Sequence, residues 1–172
     1  MCYFLYIASP LTLSEVRSML PRGLSAHAAP PAEVVAFRRM LPEARTAGTV
    51  VAGACSCDLV RRRLADLRED ERHLRSRYFA MGLPRSRIVG ELERHRRPAD
   101  RPDPPVSRGP AFASFVAEHA RNAGPTLYHL RFGPESQVDP PDPTRLRTRA
   151  VAEVLERPGD WLEEGYPTLV VR

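Results

Sequence analysis

Three cysteines carry the most reactive chemistry in this chain: Cys2 near its start, and Cys55 and Cys57 in "GTVVAGACSCDLVRRRLADL", residues 48–67. Thiolates are soft ligands that select zinc or copper(I), and three of them form most of a tetrahedral zinc set. Histidine, a carboxylate or the α-amino group of Cys2 would supply a fourth position. Geometry decides whether the set exists. Cys2 opens the apolar run "CYFLYIA" and Cys55 follows the run "TVVAGA". As antiparallel neighbours these strands join the three sulfurs at one sheet end. As parallel ones they leave Cys2 roughly 23 Å away, at about 3.3 Å per residue. A helix between the two favours the parallel arrangement, although so long a connection allows either.

A second chemistry needs only Cys55. A cysteine just before a helix feels unpaired N–H groups and the positive end of the dipole, which favours the nucleophilic thiolate. Cys55 and Arg61 stand in C-x₅-R spacing, as do Cys57 and Arg63, an arrangement that can cup a phosphate. With 26 arginines in 172 residues one such match is cheap. "CSCDLVR" also lacks a glycine to curl around an anion, and Asp58 would repel one. The third reading is that the cysteines are small apolar residues packed into a strand end and a tight turn. His27, His73, His95, His119 and His129 show no H-x₃-H partnership. Glu118, His119, Asn122 and His129 could converge where a helix meets a strand, but Glu118 and His119 are adjacent and point to different sides of a helix.

The alternative to a thiolate site is a nucleic-acid interface. Every one of the 26 basic residues is arginine, whose planar fork suits phosphate, and the net charge is +5. Residues 61–97 hold 12 Arg against 6 Asp and Glu, so the whole excess sits there. Within that stretch, 74–97 reads as helix, short turn and helix, with Gly82 in the turn. Arg85 and Arg87 would then meet phosphates or guanine edges from the start of the second helix, with Arg94 further along. Against this, Tyr78 stands where a small residue usually lets such helices approach. The Arg–acid spacing of "REDERHLRSR" also suits a solvated face. Leu74, Tyr78, Met81, Leu83, Ile88 and Leu92 supply an apolar face under either reading.

The elements that must position these residues follow from periodicity. Residues 2–8, 49–54, 126–132 and 168–171 read as four strands. Thr12 and Glu15 form a capping box for a short helix ending before Pro21. Further helices are expected at 32–40, from Leu59 onward, at 68–81, 84–96, 111–124 and 147–156. Residues 98–110 read as a proline-rich linker and 133–144 as a proline-rich loop. The expectation is a single α/β or α+β domain over 1–172: one sheet of about four strands, helices packed on it, and a helical insertion at 58–97. No stretch approaches the roughly 18 consecutive apolar residues of a membrane span, and "MCYFLYIASP" lacks the basic start of a signal peptide. An odd number of cysteines then points to a reduced, cytoplasmic protein.

Overall fold

A computed structural model describes residues 2–59, 64–96, 108–133 and 141–172. The chain divides into two compact units, Met1–Val60 with Val106–Arg172, and Arg61–Pro105.

The first unit is built on one mixed six-stranded sheet in the order β2-β3-β1-β4-β6-β5. The strands are β1 (Cys2–Ser9), β2 (Ser25–Ala28), β3 (Thr46–Val51), β4 (Thr126–Gly133), β5 (Arg147–Ala150) and β6 (Thr168–Val171). Four strands lie at or near the expected places, the second at Thr46–Val51 rather than 49–54, and β2 and β5 are additional. β1 is central because its residues are apolar on both faces, which only a strand covered above and below can use. It pairs antiparallel with β3, Leu5 opposite Val50, and with β4, Leu5 opposite Leu130. β6 pairs antiparallel with β4, and β5 lies parallel beside β6.

Consecutive residues of β4 serve opposite layers, as strand alternation requires. Tyr128 faces α5 (Gly109–Ala123) and packs edge-on against Phe112 and Trp161. Phe112, Phe115 and Val116 are fully buried around it, and each contributes about 1.5–3 kcal/mol by leaving water. His129 faces the other layer, where α2 (Pro31–Met40) lays Phe37 against Tyr6 and His129. The short α1 (Leu13–Met19) starts at the Thr12–Glu15 capping box. Residues 147–156, expected as one helix, instead give β5 followed by α6 (Val151–Glu156). Gly109 and Pro110, assigned to the linker, begin α5, and Pro143–Arg145 in the second proline segment forms a 3₁₀ turn. Residues 98–107 of the linker and 134–140 of the loop lie outside the described residues.

The second unit holds α3 (Leu64–Ala80) and α4 (Arg85–Arg96). Between them Gly82 adopts φ +73°, a conformation side chains resist, so the chain reverses there with Leu83 N–H donating to Tyr78 O. Leu74, Tyr78, Ile88 and Leu92 are buried, whereas Met81, expected on the packed face, is exposed. No described helix is long and apolar enough to cross a membrane.

Candidate functional site

The C-x-C turn is held at the end of the sheet where β1 begins. After Val51 the chain turns through Gly53, at φ +73°, and Ala52 N–H donates to Cys55 O at 2.7 Å. This turn sends residues 55–57 back across β1. Ser56 then stands in for a strand: its N–H donates to Tyr3 O at 2.8 Å, and its hydroxyl accepts from Leu5 N–H at 2.8 Å and donates to Val50 O at 2.6 Å. Ser56 is fully buried and clamps β1 to β3, while the cysteines on either side of it are half-buried and free of disulfides. Cys57 Sγ accepts the N–H of Tyr3 at 3.4 Å.

The expected parallel arrangement is therefore corrected. β1 and β3 are antiparallel because the connection between them contains β2 as well as two helices, so the chain reverses once more than a simple crossover would. The backbone of Cys2, opposite Gly133, lies next to the residue that bonds Cys57. The Cys2 side chain is outside the described residues. Among the described residues no group of three His, Cys, Asp or Glu side chains is arranged to hold a metal ion.

Cys55 is followed by a 3₁₀ turn over Cys57–Leu59, and α3 starts at Leu64. The helix expected from Leu59 onward falls partly on residues 60–63, which lie outside the described residues. Arg61, its expected partner, lies outside the described residues. In α4, Arg85, Ser86 and Arg87 are exposed in the first turn, and the side chain of Arg94 is outside the described set.

The expected convergence of Glu118, His119, Asn122 and His129 does not occur. Glu118 and Asn122 are exposed, and the two histidines lie on opposite faces of the sheet. His119 Nε2 is 2.7 Å from Ser9 Oγ and its Nδ1 is 2.9 Å from Tyr128 OH, while Leu11 N–H donates to the same Ser9 oxygen. The trio resembles a proton relay in composition, but all three residues are fully buried. Burial lowers the His119 pKa to about 4 and raises that of Tyr128. A neutral ring that donates at one nitrogen and accepts at the other satisfies this chain of bonds, which ties α5 to β1 and β4.

A second polar cluster, not expected from the sequence, occupies the α2 face. Glu33 sits one helical turn before Phe37, and His129 and Arg131 share one face of β4. Glu33 and His129 are each 3% exposed. Arg131 Nη1 lies 3.6 Å from Glu33 Oε1, close enough for attraction but beyond a hydrogen bond. Both Glu33 oxygens and His129 Nδ1 are buried without hydrogen-bond partners. Desolvation raises the Glu33 pKa to about 7 against the pull of Arg131. Burial, with Arg131 and Arg145 adding repulsion, lowers that of His129 to about 4. Nearby, Arg145 and Arg147 each hold their guanidinium 3.9 Å from the centre of the Tyr166 ring, and Arg147 also pairs with Glu163. The signal available beforehand was Glu33 at i, i+4 from Phe37, an acid on the apolar side of its helix.

No family model, curated protein or solved structure matches this chain.

Proposed function

We propose that this is a metal-binding protein whose thiolate site is formed by Cys2, Cys55 and Cys57 and takes zinc or copper(I). One contact supports the reading above the others: the 3.4 Å hydrogen bond from Tyr3 N–H to Cys57 Sγ, which ties the C-x-C turn to the residue after Cys2. A thiolate accepts such a bond more strongly than a thiol, as charged acceptors do. Three thiolates satisfy copper(I), and with zinc they leave one position open for a further ligand. Cys55 and Cys57 stand outside disulfides, which suits a reducing compartment such as the cytoplasm.

Elemental analysis of protein purified under reducing conditions tests this. The expected result is close to one zinc or copper per chain, lost in Cys55→Ser, Cys57→Ser and Cys2→Ser. Protein that is metal-free and stays so after incubation with zinc or copper(I) overturns the reading, and so does full metal content in Cys2→Ser.

A second reading rests on Arg85 and Arg87, both exposed in the first turn of α4, where a helix start favours phosphate. If this surface binds nucleic acid, duplex affinity falls steeply with salt and Arg87→Ala weakens it. Indifference to DNA and RNA at low salt removes that reading.

A further inference from the structure

We propose that the α2–β4 cluster is a binding site for an uncharged molecule presenting two parallel N–H donors, of the urea or acyclic ureide type, received by the Glu33 carboxylate with His129 as a further contact.

The argument begins with hydrogen-bond completeness. Buried polar atoms are almost always matched, and each unmatched one calls for a water, an ion or a ligand. Here both oxygens of Glu33 and Nδ1 of His129 are unmatched in the same α2–β4 layer, where Arg131 approaches Glu33 and Phe37 packs on His129, although each residue is only 3% exposed. The contrast lies across the same sheet, where Ser9, His119 and Tyr128 satisfy one another. Two carboxylate oxygens side by side accept a pair of parallel N–H bonds, the pattern that one face of a urea or amidine presents.

Charge narrows the class. Arg131 is 3.6 Å from Glu33, and Arg131 and Arg145 both act on His129, so an ammonium, amidinium or metal cation meets two positive groups. An anion meets the Glu33 carboxylate. A neutral molecule avoids both penalties and still supplies the donors. Phe37, edge-on to His129, and Tyr6 beyond it give the site apolar walls that suit a flat ligand. Arg131 has the most exposed side chain of the three, at 15%, so entry runs along it. This site shares no residue with the cysteine end of the sheet, and its test is independent of metal content.

The probe pair, used at pH 8 where Glu33 is ionised, is 1,3-dimethylurea, whose two N–H bonds point the same way on the side away from its carbonyl, and tetramethylurea, which keeps the carbonyl but has no donor. The readout is the imidazole ¹⁵N resonance of His129 in the intact protein. 1,3-Dimethylurea should shift it saturably, and tetramethylurea should bind at least about tenfold more weakly, the cost of leaving buried acceptors unmatched. Glu33→Gln, with one acceptor replaced by a donor, should weaken the first probe by a similar factor. If that variant fails to fold, the two probes against the natural chain decide alone. Equal affinity for both probes overturns the proposal. So does the absence of any saturable shift, which leaves the cluster as a seat for ordered water only.

Discussion

Acidification from pH 6.5 to 4.5 should destabilise the protein, and the reason lies in three buried groups with opposite linkage. His119 and His129 fall from 6.5 to about 4 on folding, so between those values the unfolded chain binds more protons and stability drops as pH falls. Glu33 rises from 4.5 to about 7, so over the same range the folded chain holds the extra proton and stability increases as pH falls. Two histidines against one carboxyl leave a net of one proton. Because the unfolded histidines are only half protonated at pH 6.5, integrating these shifts gives a loss of about 2 kcal/mol across two units. The exposed carboxylates Glu15, Asp142 and Glu153 have lowered pKa values and act at and below the lower edge of this window.

The assay is urea unfolding at half-unit steps of pH, followed by the fluorescence of Trp161, the chain's one tryptophan, which is buried against Phe112 and Tyr128. Glu33→Gln removes the opposing group and should steepen the decline to about 4 kcal/mol over the same range. A profile that is flat or rises on acidification refutes the assignment of His119 and His129 as neutral in the folded state. A shallower profile in Glu33→Gln refutes the raised affinity of Glu33 for its proton.

Ser56→Ala should cost about 2–4 kcal/mol, because Leu5 N–H and Val50 C=O both lose their buried partner, and urea midpoints will measure it. If the turn holds the cysteines, the same variant should bind metal more weakly with every sulfur still present. Gly48→Ala should cost about 1–3 kcal/mol, since a β-carbon there would stand 2.6 Å from His27 O. The loss should be concentrated in β2, and amide exchange that speeds at Ala26 and Ala28 but not in β1 or β4 is the expected pattern.

The strands legible in the sequence were those with an apolar run of their own. β1, β3, β4 and β6 each bury several side chains, and that is what periodicity detects. β2 is "SAHA", an edge strand with Ala26 as its one buried residue, so it carries no alternation to find. β5 is "RTRA", and its arginines read equally well as the start of the helix that follows. They are held instead by pairing to β6 and by Glu163 and Glu153. The missing β2 also explains the wrong strand direction beside the cysteines: without it, two helices between two strands look like a parallel crossover. The sulfur site was legible as residue types but depended on a reversal that a weak edge strand supplies.

The α2–β4 cluster was illegible for a different reason. "TLYHLRF" alternates, and a polar His129 and Arg131 on one side of a strand ordinarily mean a wet face. Glu33, in the first turn of a helix, ordinarily means a favourable dipole contact at the surface. Each residue obeys its local rule, and the conflict appears only when α2 is laid over β4 and all three are drawn inside. A fully matched trio such as Ser9, His119 and Tyr128 is compatible with stability alone, because every bond lost to water is replaced. Glu33 is not, since its carboxyl is desolvated, faces Arg131 beyond hydrogen-bond distance, and has no donor of its own. An apolar residue there would fold at lower cost. Local rules that fail without a compensating gain in the folded chain are expected at functional or strained sites. On that ground the acid of α2 stands beside the three cysteines as a place to look for this protein's chemistry.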